Sequence, residues 1–259
     1  MLPNILFLEQ LVDQFALPFF RAAAMLMAAP MFGARLMPAQ IRIIYAVCLA
    51  GAIAPLLGTT MRLDALAGTT VIAIVQEVII GMTIGFLVQM VFDAIIIGSQ
   101  MIAMSMGLGF AMMVDPQRGV SVPVLSQFFV VITTLLFLAF DGHLSMIGVL
   151  VQSFTSLPTG IFALPVESFW SVASWGTEMF SGALRIALPA AVALLIVNVA
   201  YGVISRAAPT LNLFSVGLPT TVLLGFVILQ QSFGNLGEGF SAMLTLTFDE
   251  LLRILAKAP

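Results

Sequence analysis

Long apolar runs alternate with short polar breaks along nearly the whole chain. The runs extend from about Val12 to Phe32, Ile43 to Leu57, Val71 to Ile97, Val122 to Phe140, Gly182 to Ile204 and Leu213 to Leu229. A membrane-crossing helix needs about 20 mostly apolar residues for a hydrocarbon core of about 30 Å. The pattern therefore predicts about six hydrophobic helical spans. The third run is longer than one crossing needs. Polar segments separate the runs: Gly33 to Arg42, Gly58 to Thr70, and Asp141-Gly142-His143, which ends the fourth. A short apolar segment, Leu144 to Val151, follows. The most polar long region, Ser153 to Ser181, carries Trp170 and Trp175, side chains suited to a water–membrane interface. The tail, residues 230–259, contains an amphipathic helix candidate around Phe240 to Leu255.

Between the third and fourth runs lies residues 98–121, the stretch around which the chain is organised. It begins GSQMIAMSMGLGFAMMVDPQRG. Met101, Met104, Met106, Met112 and Met113 crowd it. Gly107 and Gly109 flank Leu108, Phe110 follows, and Asp115-Pro116 is a turn signal. Each glycine costs a helix about 1 kcal/mol relative to alanine. The neighbours are nevertheless too apolar for an ordinary solvated loop. Non-helical backbone at membrane depth is tolerated where it is buried in protein or lines a cavity. Methionine supplies a soft surface that adapts to different partners. Two readings follow: a pliable constriction in a protein-lined path, or a kinked helix with a Met-rich packing face and a loop after it.

Composition confirms the setting. The 259 residues are 61% hydrophobic and only 8% charged, with mean hydropathy +1.16, against about 25% charged residues in a soluble domain. The net charge is −3 and the single lysine is Lys257, which excludes a basic nucleic-acid-binding face. The one cysteine, Cys48, allows no internal disulfide. Before Arg21 there is no basic residue, so the positive region of a cleavable signal peptide is missing from this N-terminal stretch.

Four charges fall inside apolar runs: Arg21, Glu77, Asp93 and Arg185. Each costs about 2.5–3.5 kcal/mol at membrane depth on insertion scales and is expected to face protein or water. Glu77 and Asp93 are 16 residues apart. At about 100° per residue they lie about 160° apart on one ideal helix, so they do not line one narrow path together. Pairing with Arg21 or Arg185 on another helix is one expectation; a proton or ion relay and contact with a partner subunit are the others. Gly81 and Gly85 have the GxxxG spacing that lets helices approach closely. The lone His143 has no second histidine for a zinc site. No phosphate-binding loop, nucleophile elbow or other catalytic constellation stands out, and no cofactor is expected.

Arg206 to Pro219, RAAPTLNLFSVGLP, resembles the R-x-x-P-x-x-N-x-F-x-x-G-x-P signature of the FliR family of flagellar export proteins, which is related to the SctT subunits of virulence injectisomes. Its matching positions are Arg206, Pro209, Asn212, Phe214, Gly217 and Pro219. Pro30-Met31-Phe32-Gly33 with Pro38 and Arg42, Glu77 with Gly81 and Gly85, Gly107-Leu108-Gly109-Phe110 with Asp115-Pro116, and Gly142-His143-Leu144 match the same family in the same order.

The resemblance implies an all-α fold of helical hairpins packed into a hetero-oligomeric export gate, with 1–259 as one gate subunit. It implies a non-enzymatic role in the flagellar basal body of the bacterial inner membrane. The expected partners are FliP- and FliQ-type subunits, an FlhB-type subunit, and unfolded export substrates. It places the family's central plug at about Met106 to Val120, with Met106, Gly107, Leu108, Gly109, Phe110, Met112, Met113, Asp115 and Pro116 as gate residues. The competing readings are a virulence secretion gate, a secondary transporter or ion channel using Glu77 and Asp93, and a membrane-embedded enzyme.

Overall fold

The computed structural model describes residues 2–33, 37–57, 68–109, 124–160, 164–207 and 213–256. All secondary structure among them is helical. The α-helices are α1 (Leu2–Ala28), α2 (Ala39–Ile53), α3 (Gly68–Ser105), α4 (Val124–Ala139), α5 (Gly142–Ser156), α6 (Val166–Ala207) and α7 (Leu213–Ala256). A 3₁₀ turn, Ala54–Leu56, extends α2.

The boundaries follow local chemistry. Pro38, in an extended conformation, precedes α2. Pro55 sits at the start of the 3₁₀ turn that closes that segment. Asp141 adopts a left-handed conformation, φ 54°, and breaks the chain between α4 and α5. Aspartate is among the few non-glycine residues that tolerate this region. Pro158 follows the end of α5 and favours extended backbone before it. Glu167 in the first turn of α6 and Arg206 in its last turn complement the helix dipole.

Three helical segments are long and apolar enough to cross a membrane: Ala39–Leu56, Gly68–Ser105 and Val166–Ala207. Two bent pairs, within α4–α5 and within α7, bring the total to up to five. The first apolar run of the sequence forms most of α1. The helices outrun the apolar patterns. The third run continues as helix to Ser105, and α6 begins at Val166, inside the polar region. Likewise α7 carries both the last apolar run and the tail in one helix with Pro219 inside it. The 40-odd-residue helices need no polarity change to end, so hydropathy alone marks only their apolar middles.

The chain divides into two compact units. Unit 1 comprises Met1–Met90, Asp141–Gly176 and Leu244–Pro259; unit 2 comprises Val91–Phe140 and Thr177–Met243. In unit 1, Leu17, Met25 and Leu26 of α1 are buried, as are Ile84 and Leu87 of α3 and Met146 and Leu150 of α5. Gly81 and Gly85 bring α3 onto the backbone of α1: a Cβ at Gly85 would lie 2.7 Å from Ala28 Cβ and 3.0 Å from the Ala29 nitrogen. Phe32 stacks on Tyr45 of α2 at 5.4 Å. In unit 2, the ring of Phe92 meets Phe137 and Phe240 edge-on at 5.5 and 5.9 Å. Gly98 lets α3 touch α6, where an added Cβ would stand 3.0 Å from the Ala183 carbonyl oxygen. Ser99 and Ser126 hydroxyls bond at 3.0 Å and join α3 to α4.

Candidate functional site: a buried ion pair and the foot of the central stretch

In unit 1 the fully buried Arg21 meets Glu77, which is 1% exposed. Arg21 Nε donates to Glu77 Oε2 at 2.5 Å and Nη2 donates to Oε1 at 3.0 Å. This is the two-pronged geometry that matches a planar guanidinium to a carboxylate. Nη1 donates to Ser153 Oγ and Nη2 to the Leu157 carbonyl, each at 3.0 Å. Four of the five guanidinium N–H groups are thus used. The Phe154 ring covers the cation at 4.0 Å from its centroid. The Gly160 backbone N–H adds a donor to Glu77. One guanidinium therefore ties α1, α3 and the C-terminal end of α5 together.

Of the partners considered from sequence, Arg21 is the one that holds Glu77. Asp93, also on α3, belongs to unit 2 and has an interaction of its own within the chain. Arg185 is exposed on α6. Ser153, Phe154 and the Leu157 carbonyl escaped the sequence reading. A serine and an aromatic at the edge of a polar region give no signal of a cation packed from 130 residues away.

In unit 2 the structure shows how the central stretch begins. Residues 98–105 are helix, and α3 ends in a glycine-centred cap. Gly107 has φ 80°, its N–H donates to the Met104 carbonyl at 3.0 Å, and the Leu108 N–H donates to the Ala103 carbonyl at 3.1 Å. This is the Schellman pattern, in which a left-handed residue supplies donors to the last free carbonyls of a helix. Gly107 therefore stops the helix and does not merely weaken it. The backbone beneath the cap is tied down. Asn198 Nδ2 of α6 donates to the Ser105 carbonyl at 3.1 Å, and Thr221 Oγ1 of α7 donates to the Met106 carbonyl at 3.3 Å. Met106 is fully buried and its side chain lies against Gly225, where a Cβ would be 2.6 Å from it. Met106 thus belongs to the foot of the stretch. Asn198 is an amide inside an apolar run, a residue type that ties helices together in lipid; Thr221 and Gly225 carry no such signal.

Phe110, Met112, Met113, Asp115 and Pro116 lie outside the described residues, as do Pro209 and Asn212 of the signature segment. Arg206 is exposed in the last turn of α6, Phe214 falls in the first turn of α7, Gly217 is buried, and Pro219 lies within that helix. His143 is half-buried, with Nδ1 unpartnered. Among the described residues no three His, Cys, Asp or Glu side chains gather to hold a metal ion.

These features define an all-α polytopic membrane protein whose buried polar groups tie helices to one another. The family described as "Bacterial export proteins, family 1" matches residues 12–247. The flagellar biosynthetic protein FliR of Pectobacterium carotovorum is 36% identical over 84% of this chain and 83% of its own length. FliR of Escherichia coli K12 is 31% identical over 93% and 92%, and FliR of Aquifex aeolicus 33% identical over 86% of each. The chain belongs to this FliR family of bacterial export proteins.

Proposed function

We propose that this chain is a core subunit of a flagellar protein-export gate in the bacterial inner membrane, assembling with FliP- and FliQ-type subunits and engaging an FlhB-type protein. The family match over residues 12–247 carries this reading, supported by relatives that are all flagellar by name. Large apolar side chains left uncovered fit a subunit meant to be surrounded. Ile41, Ile43, Ile44 and Val47 on α2, and Leu195, Ile196, Val199 and Val203 on α6, are between 42% and 66% exposed. Native mass spectrometry after co-expression tests the reading. A defined complex with the FliP- and FliQ-type subunits is expected. Assembly of those partners without this chain overturns it.

In the same reading, residues 106–120 plug the export path. Apolar side chains seal a closed path because nothing there solvates an ion, and Phe110, Met112 and Met113 have that chemistry. Methionine yields to an unfolded chain of any sequence. The pinned foot at Ser105 and Met106 gives such a segment a fixed origin. Deleting 107–113 in the assembled complex is expected to raise ion leakage across a reconstituted membrane; leakage equal to wild type counts against the plug. The relay alternative is weakened by Glu77, whose two oxygens are both committed to Arg21.

A further inference from the structure

Unit 2 contains a cleft of about 170 Å³ between α3, α4, α6 and α7. Its walls are apolar, among them Ile102, Phe129, Leu229 and Phe233, and one charged side chain, Arg185, lines it beside Ile186 and Pro189. The ion pair does not use this place, and the central stretch borders it through Ile102, in its helical part. Arg185 is exposed, and no carboxylate among the described residues pairs with it.

The depth of Arg185 narrows what can answer its charge. The apolar run of α6 starts at Gly182, after Glu178 and Ser181, and Arg185 is its only charged residue up to Ile204. At 1.5 Å per residue the Cα of Arg185 lies about 4.5 Å inside the polar edge. That is where a long cationic side chain reaches the headgroup layer while its stem stays on apolar surface. The apolar side chains next along this helix, Leu188 and Val192, are about half exposed. A hydrocarbon chain has a surface to follow from the cation into the membrane.

Pro189 adds a second polar group. It is inside α6 and has no N–H, so the carbonyl four residues earlier, that of Arg185, loses its helical donor. The same residue thus carries a cationic donor that lines the cleft and a carbonyl acceptor without its usual helical donor. A carboxylate from a neighbouring protein would satisfy the guanidinium and leave the carbonyl without a donor, because an ionised carboxylate only accepts. A headgroup with a phosphate and an O–H or N–H arm satisfies both.

We propose that the Arg185–Pro189 cleft is a binding site for a phospholipid whose headgroup carries a hydrogen-bond donor. The phosphate bonds the guanidinium, the donor arm bonds the Arg185 carbonyl, and an acyl chain lies along the cleft. The site does not depend on the plug.

The test uses the full-length chain, purified in detergent and supplemented with phosphatidylglycerol, phosphatidylethanolamine or phosphatidylcholine. Native mass spectrometry reads retained lipid and thermal melting reads stabilisation. Phosphatidylglycerol and phosphatidylethanolamine are expected to be retained and to raise the melting temperature. Phosphatidylcholine, whose quaternary ammonium has no N–H, is expected to bind more weakly. Arg185→Gln should weaken retention about tenfold or more, the loss of a charge-assisted hydrogen bond, whereas Arg185→Lys should keep most of it. Pro189→Ala, which restores a helical donor to the carbonyl, should bind all three lipids alike. Equal retention by wild type and Arg185→Gln overturns the proposal, as does phosphatidylcholine binding the wild type as well as phosphatidylglycerol. If Arg185→Gln instead leaves lipid retention unchanged and loses only co-purification with gate subunits, the cleft holds a partner's carboxylate and the proposal fails.

Discussion

Replacing Gly81 or Gly85 with alanine should lower the melting temperature of the detergent-purified protein by more than any other single-methyl change in unit 1. Helix propensity alone predicts the opposite sign, since alanine is favoured over glycine by about 1 kcal/mol within a helix. Sterics decide it. A Cβ at Gly81 falls inside contact distance of the Arg21 carbonyl oxygen and 3.0 Å from Ala24 Cβ. A Cβ at Gly85 likewise falls inside contact distance of the Met25 carbonyl oxygen and 2.7 Å from Ala28 Cβ. The obstacles are largely backbone atoms of a helix, which have no rotamer to swing away. Overpacking of this kind costs about 1–3 kcal/mol, occasionally more. At Gly81 the cost should reach the upper end, because the backbone that must retreat belongs to Arg21, and Glu77 lies one turn earlier on α3. Separating the helices there also stretches the ion pair. Gly148 of α5 and Gly51 of α2 provide the internal contrast, since nothing stands within 4 Å of a Cβ at either. Gly148→Ala and Gly51→Ala should leave the melting temperature unchanged or raise it. Equal effects at all four glycines would mean that close approach does not hold α1 on α3.

How far the molecule could be read in advance differs from residue to residue. The apolar runs gave the helices and the membrane setting because burial in lipid demands long, charge-poor segments whatever the fold. The GxxxG spacing at Gly81 and Gly85 gave a packing face but no partner; only the folded structure supplies α1. Charge placement gave Arg21 and Glu77 as a pair to be sought, since a buried ion needs its opposite. It could not choose between Arg21 and Arg185, because helix order in space is not a property of either segment. The cap at Gly107 was open to a local reading, with a glycine just past the last helical turn. It was obscured by Gly109 two residues on, where a Cβ would press on the Met104 sulfur at 2.6 Å. Thr221 and Gly225 were unreadable, as a threonine and a glycine in an apolar run have many roles. The division into two units, with α3, α6 and α7 each contributing to both, leaves no compositional trace at all.

Removing the carboxylate of Glu77 should be the most damaging single change to unit 1. Glu77→Ala leaves the Arg21 guanidinium fully buried with two of its four hydrogen bonds gone, and the remaining acceptors, Ser153 Oγ and the Leu157 carbonyl, carry no full charge. Breaking a buried pair this way costs about 3–5 kcal/mol, a large share of the roughly 5–15 kcal/mol that holds a typical domain folded. Arg21→Ala should cost a similar amount, with the Phe154 ring also losing its cover. Glu77→Gln separates charge from shape. The amide keeps one acceptor for Arg21 but replaces the other with a donor facing a donor, so it should fall close to Glu77→Ala. The double replacement Arg21→Met, Glu77→Leu is the decisive comparison, because an apolar pair of similar volume avoids the desolvation of both ions and is often neutral or stabilising. It should recover most of the melting temperature lost in either single variant. If it does, the pair serves to specify which helices meet, and its net contribution to stability is small. A double variant as unstable as the singles would instead show that Ser153, Leu157 and Gly160 depend on the charges, and that the cluster stabilises unit 1 as a network.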